Sequence, residues 1–154
     1  MKITSTLLLS LICIQLYACN SNVAVQSVNS SNETANTDTM KLKVTVGSAV
    51  FTATLHNNAT VTAFKAKLPM TIKMRELNGN EKYYDLPGDL PTSASNPETV
   101  QTGDLMLYGP STLVLFYKTF STPYSYTKLG HIDNPSGLAA VLGSENVTVK
   151  FELN

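Results

Sequence analysis

The sequence predicts a mainly β fold over residues 40–154: a closed, eight-stranded antiparallel barrel with two short helices. Three observations carry that expectation. Apolar and polar residues alternate at period two through segment after segment. Short turns rich in glycine, asparagine or proline separate these segments. Only two stretches change to helical spacing. Closing such a sheet on itself removes the edges that an open antiparallel sheet would expose.

The elements follow in order. Leu42, Val44 and Val46 alternate with Lys41, Lys43 and Thr45, as a strand with one buried face requires. Gly47-Ser48 turns the chain, and Phe51, Ala53 and Leu55 alternate again to complete a hairpin. Asn57 or Asn58 stands where a helix N-cap belongs. Val61, Phe64 and Leu68 then share one helical face, and Pro69 closes the segment. Strand periodicity returns over Thr71–Leu77, with Ile72 and Met74 opposite Lys73 and Arg75. Asn78-Gly79 is a strong hairpin signal, and Glu81–Leu86 is the partner strand. Pro87 to Pro97 is a polar, proline-marked loop.

The centre of the chain is Gly103–Gly130, dense in aromatic rings. Leu105–Tyr108 and Leu113–Tyr117 read as strands about the turn Gly109-Pro110-Ser111-Thr112, and Tyr126–Ile132 as the next strand. Asn134-Pro135 reads as an N-cap and first helical position. Leu138, Val141 and Leu142 share a face behind it, and Gly143 is the expected stop. Val147, Val149, Phe151 and Leu153 alternate with Thr148, Lys150 and Glu152 in a last strand. The order is two strands, a helix, five strands, a helix and one strand.

Eleven basic and eleven acidic residues cancel across the 154-residue chain, and no basic block stands out. Charge therefore gives no footprint for nucleic acid or an anionic surface. Ahead of the domain, Met1-Lys2 precedes an apolar run, Leu7–Leu16, of signal-peptide length and too short to span a bilayer. It ends in Leu16-Tyr17-Ala18-Cys19, which resembles a bacterial lipobox. That resemblance implies lipidation of Cys19 as the mature N-terminus; an ordinary secretory signal cut nearby is the alternative. Cys13 would leave with the leader, so no internal disulfide can form, and acylation accounts for the one remaining sulfur. The expected organisation is a lipoprotein signal peptide at 1–18, a flexible Ser/Asn/Thr-rich tether at 19–39, and the domain at 40–154. Asn20 stands where an Asp marks lipoproteins retained at the inner membrane, which points to the outer membrane of a bacterial cell envelope.

The segments LPMTIKM, YYDLP, GDLMLYG, LVLFYKTF and YSYTKLGHI, with the closing helix and strand, resemble the small bacterial cyclophilin-like domain family. The strand and helix order is that of cyclophilins. The resemblance covers Met40–Asn154 and implies a barrel with a helix capping each end. True prolyl isomerases of this fold carry an arginine in a phenylalanine- and histidine-flanked strand, then Phe-Met-x-Gln, with a tryptophan and a histidine further on. Arg75, the only arginine, lies on the corresponding strand, facing away from Ile72 and Met74; the rest of the motif is missing, and there is no tryptophan.

Candidate groove residues are the rings Tyr108, Tyr117, Phe120, Tyr124 and Tyr126, with Arg75 and His131. Tyrosines offer apolar area with a polar tip, which suits peptides and small amphipathic ligands. The alternative is that the rings cover the barrel end and anchor the Phe120–Tyr124 loop. Leu113, Leu115 and Tyr117 face one way and Val114 and Phe116 the other, so one set must fill the barrel. His131, Asp133 and Ser136 lie close in sequence but lack a nucleophile elbow, and Asp133 and Ser136 suit a helix start. His56 and His131 are too far apart in sequence for a ligand motif, and no carboxylate cluster has metal-ligand spacing, so neither metal nor cofactor is expected. No glycine-rich loop opens a helix for phosphate binding. Met70, Met74 and Met106 fit strand cores. The functional expectation is a membrane-anchored module binding a peptide or small ligand in an outer groove. A divergent peptidyl-prolyl cis-trans isomerase using Arg75 is the alternative, and a purely structural envelope module a third reading.

Overall fold

Alternation along the sequence becomes alternation across the wall of a barrel. The computed structural model describes residues 40–154; the leader, Cys19 and the tether lie outside the described residues. The strands are β1 (Lys41–Val46), β2 (Ala49–Leu55), β3 (Met70–Leu77), β4 (Glu81–Asp85), β5 (Thr99–Val100), β6 (Asp104–Tyr108), β7 (Thr112–Phe116), β8 (Phe120–Ser121), β9 (Thr127–Ile132) and β10 (Val147–Leu153). Helix α1 (Ala59–Lys65) follows β2, and α2 (Leu138–Leu142) follows β9. Eight strands close in the order β1-β10-β3-β4-β7-β6-β9-β2, with antiparallel pairing throughout. This is the expected mainly β barrel with two helices. The separate β5–β8 sheet lies outside that expectation, because two-residue strands leave no periodicity to read.

The inward residues form one core. Leu42, Val44, Ala53, Met74, Leu105, Leu107, Leu113, Leu115, Val149 and Phe151 are buried in it, joined by Val61 and Phe64 from α1 and Leu138 and Leu142 from α2. Phe64 meets Phe151 edge to face, ring centroids 6.3 Å apart. Asn78 (φ 54°) and Gly79 (φ 67°) are both left-handed, the central pair of a tight turn that the Asn80 N–H closes on the Leu77 carbonyl at 3.2 Å; Leu77 pairs with Glu81, so Asn80 is an extra residue in a three-residue connection. Gly130 serves a different need: a Cβ there would lie 2.6 Å from the Thr54 carbonyl oxygen on β2. The β6–β9 register also shifts beside it, between Leu105 and Met106.

Asn58 caps α1 from an extended conformation. Its Oδ1 accepts the Val61 N–H at 2.8 Å, and its Nδ2 donates to the Lys128 carbonyl at 2.9 Å. Asn58→Ala is expected to cost about 1–2 kcal/mol through loss of the cap, read by chemical denaturation. Asn58→Asp should recover part of that, since it keeps the acceptor and loses only the donor.

Two helix boundaries differ from expectation. Helix α1 ends at Lys65, so Leu68 packs on the core from the following loop. Helix α2 starts at Leu138 with Gly137 (φ 81°) as N-cap, not at Asn134-Pro135. The chain is still tied to β2 at Asp133, whose N–H donates to Thr52 O at 2.9 Å and whose carboxylate is engaged by Lys41 and Thr54. Asn134 Oδ1 then accepts the Ser136 N–H in an intervening turn, and only after Gly137 does the chain head into the helix.

One charge faces inward. Lys82 is fully buried, opposite Leu115 in register; it pairs with the Glu76 carboxylate, and it donates to the two carbonyls of Gly143 and Glu145 at 2.8 Å. The Tyr117 hydroxyl donates to the same carboxylate at 2.8 Å, and Lys82 Nζ lies 5.3 Å from the Tyr117 ring centroid. Burial pushes the Glu76 carboxyl up, but hydrogen bonds from Lys82, Tyr117 and the Gly79 N–H outweigh it and hold the group below its ordinary 4.5. Burial, then the Glu76 charge, pushes the Tyr117 phenol up to about 12. A depressed carboxylate means the unfolded chain takes up protons first as pH falls. Its contribution is therefore complete above the ordinary value of 4.5 and is lost as pH falls through the lower folded-state value. The melting temperature should drop on acidification below about pH 4.5, less steeply in Glu76→Gln.

Candidate functional site

The site begins from the outward residues of β6 and β7. Met106, Val114 and Phe116 point away from the barrel interior, yet they are buried, because Val100 of β5 and Tyr126 pack over them with Phe120 and Tyr83 alongside. This explains why both faces of β6 and β7 are apolar in sequence. The wall thus carries a second, smaller core on its outside.

Cross-strand register sets three outward rows. Leu77 pairs with Glu81 and Glu81 with Phe116; Arg75 with Tyr83, Tyr83 with Val114 and Val114 with Met106; Asp85 with Thr112 and Thr112 with Tyr108. A groove of about 450 Å³ lies over these rows, within the range of small-ligand pockets. Glu81, Tyr83 and Asp85 of β4 form one wall, and Val114 and Thr112 of β7 the floor. The other wall is Tyr108, Phe120, Tyr124 and Tyr126, and the β3–β4 turn closes one end with Leu77, Asn78 and Asn80.

The rings form a continuous contact chain. Tyr124 meets Tyr108 at 5.9 Å between centroids, Tyr108 meets Tyr126 at 5.6 Å, Tyr126 meets Phe116 at 5.5 Å and Phe116 meets Phe120 at 5.8 Å. Phe116 is the anchor, fully buried beneath the two rings it touches. Tyr108 and Tyr124 are 46% and 57% exposed, whereas Tyr126 is buried; together they offer a graded apolar face with hydroxyl tips. Burial pushes the Tyr126 phenol up, and the Thr122 hydrogen bond only partly opposes this.

Of the residues expected at a groove, Tyr108, Phe120, Tyr124 and Tyr126 come together there. Arg75 stands just beside it, its guanidinium paired with the Asp85 carboxylate and 4.5 Å from the Tyr83 ring centroid. Tyr117 does not join them. It follows the inward parity of Leu113 and Leu115, and its hydroxyl is held by Glu76 inside the barrel. His131 is also elsewhere: it sits on β9 between Thr54 and Asp104, with Nδ1 2.8 Å from Asp104 Oδ1, at the end of β6 away from Tyr108. Its sequence neighbours Asp133 and Ser136 make separate contacts, so no triad forms.

Residues missed in the sequence include Tyr83 and Glu81, whose signal was present as the outward parity shared with Arg75 and Leu77. Glu81 is half-buried, and burial followed by the nearby Glu76 charge raises its carboxyl above 4.5. Asn80 also lines the groove, and its Oδ1 is buried with no hydrogen-bond partner among the described residues. A second, smaller cavity of about 310 Å³ lies by Lys67, Tyr84 and Leu86. Among the described residues, no three His, Cys, Asp or Glu side chains stand together as a metal site, and no helix is long and apolar enough to cross a membrane.

An eight-stranded antiparallel barrel with two helices, closed in this strand order, has the cyclophilin-like architecture. The model of the cyclophilin-like family matches residues 44–152, and the chain belongs to that family. Among solved structures it is similar to a hypothetical protein of Archaeoglobus fulgidus determined in solution, with 22% identity and a TM-score of 0.56. That match covers 75% of this chain and 95% of the other, and at this identity it speaks for the fold alone. No curated protein matches the chain.

Proposed function

We propose that the protein is a tethered binding module of the bacterial envelope, whose outer groove takes a peptide or small amphipathic ligand without chemistry on it. In this reading α1 and α2, which bury Phe64 and Leu138 in the core, are the plugs of the barrel's two mouths. The observation that carries the reading is the convergence of Tyr108, Phe120, Tyr124 and Tyr126 on one groove of ligand size. The surroundings of Arg75 favour binding over catalysis. Its guanidinium is already paired with Asp85 and stacked on Tyr83, so a prolyl carbonyl would have to compete with that arrangement.

Titration of the full-length chain with proline-containing peptides and small amphipathic compounds, followed by NMR, tests the binding reading. Shifts are expected at Tyr83, Tyr108, Tyr124 and Tyr126; no shift there with any ligand contradicts it. Isomerisation of a prolyl peptide should proceed at its uncatalysed rate, over tens to hundreds of seconds. Acceleration that disappears in Arg75→Ala would instead support a divergent prolyl isomerase. The tether rests on the leader and the Leu16-Tyr17-Ala18-Cys19 segment. Cys19→Ala is expected to release the protein from the outer-membrane fraction; unchanged retention with no acyl label contradicts lipidation.

A further inference from the structure

The charge of the groove is one-sided. Its ionisable lining consists of Glu81, Asp85 and tyrosines, with no Lys, Arg or His. The two acids are not equivalent. Asp85 is satisfied by Arg75 and by the Thr112 hydroxyl, which donates at 2.8 Å. Glu81 has no ion pair or side-chain hydrogen bond among the described residues, although it is half-buried and flanked by rings. A carboxylate drawn partly out of water with no cation beside it is an unbalanced group. Lys118, the nearby base, lies beside Gly79 in the β3–β4 turn and does not line the groove.

The same wall shows how such a group is balanced. Two residues along β3 and β4 from the Leu77–Glu81 pair, the Arg75 guanidinium sits over the Tyr83 ring and against Asp85. At Glu81 the carboxylate and the rings are present, and among the described residues no cation is paired with it. We infer that the groove selects a cationic amphipathic ligand, an ammonium or guanidinium on an apolar body, with its charge against Glu81. The apolar body lies on Val114, Phe120 and Tyr126. This inference deepens the binding reading above and rests on it.

The test uses the full-length chain and three ligands of one shape: 2-phenylethylammonium, neutral 2-phenylethanol and anionic 3-phenylpropionate. The cation is expected to bind about fivefold tighter than the neutral compound, as one partly exposed ion pair provides, with the anion weakest. Glu81→Gln should abolish that preference while keeping the binding of phenylethanol. Acetyl-Phe-Lys-amide against acetyl-Phe-Gln-amide places the same chemistry on a peptide; a lysine preference exceeding that of the free amine assigns the cation to a peptide side chain, and a smaller one assigns it to a free amine. Equal binding of all three small ligands in the groove, or a cation preference that survives Glu81→Gln, overturns the charge selection and leaves the groove reading intact. No shift at Tyr108, Tyr124 or Tyr126 with any of them overturns both.

Discussion

Lys82→Ala is expected to destabilise the fold by about 3–5 kcal/mol, the usual cost of removing one partner from a buried ion pair. Two effects add. The Glu76 carboxylate loses its cation in a site where only the Tyr117 hydroxyl and Gly79 N–H remain to hold it. The carbonyls of Gly143 and Glu145, just beyond α2, lose the donor that ties them to β4. The segment carrying α2 should therefore loosen first, seen as faster amide exchange around residues 138–147. The double variant Lys82→Met/Glu76→Gln is expected to be much closer to wild type, because replacing both charges leaves none uncompensated. Equilibrium denaturation of the wild type, Lys82→Met, Glu76→Gln and the double variant measures the coupling. A single Lys82→Ala loss under 1 kcal/mol would mean the network is not holding the barrel end.

Phe116→Ala should cost about 3–5 kcal/mol, the range for truncating a fully buried phenylalanine, and should disable the groove as well. Its ring is the contact beneath both Phe120 and Tyr126, so its loss lets the two wall rings sink toward the vacated space. Phe116→Leu keeps most of the volume and is expected to recover the stability to within about 1.5 kcal/mol. Ligand binding should recover less than stability, because an aliphatic side chain cannot restore the edge-to-face contacts that orient the rings. Calorimetric melting alongside ligand titration separates the two effects. Equal recovery of both would show that the floor acts through bulk alone.

The barrel was legible because its strands alternate cleanly. Leu42-Lys43-Val44-Thr45-Val46 and Val147-Thr148-Val149-Lys150-Phe151 leave little choice of face, and Asn78-Gly79 marks the β3–β4 turn, although the extra residue Asn80 sets its register at Leu77 opposite Glu81. The groove was half legible. Tyr108, Phe120, Tyr124 and Tyr126 stand out as rings in a loop-and-strand cluster, but which rings share a surface depends on strand parity and on long-range pairing. Tyr117 shows the point: its own parity with Leu113 and Leu115 placed it inside, against the pull of its aromatic neighbours. Lys82 was hidden for the opposite reason. A lysine in a strand suggests solvent, and only the fold reveals that Glu76 and two loop carbonyls converge on it. The start of α2 was misjudged because Asn134-Pro135 fits a helix start locally, while the Asp133 contacts to Lys41, Thr52 and Thr54 keep the chain on the barrel edge past that point. The β5–β8 sheet depends on tertiary contact alone, and no local pattern in Thr99-Val100 or Phe120-Ser121 announces it.

Intermolecular NOEs between a bound amphipathic ligand and the full-length chain test the central claim most directly. The account predicts contacts from the ligand to the rings of Tyr83, Tyr108, Tyr124 and Tyr126 and to the Val114 methyls. Contacts instead to Tyr84 and Leu86 at the smaller cavity, or to His131 at the far end of β6, would contradict it.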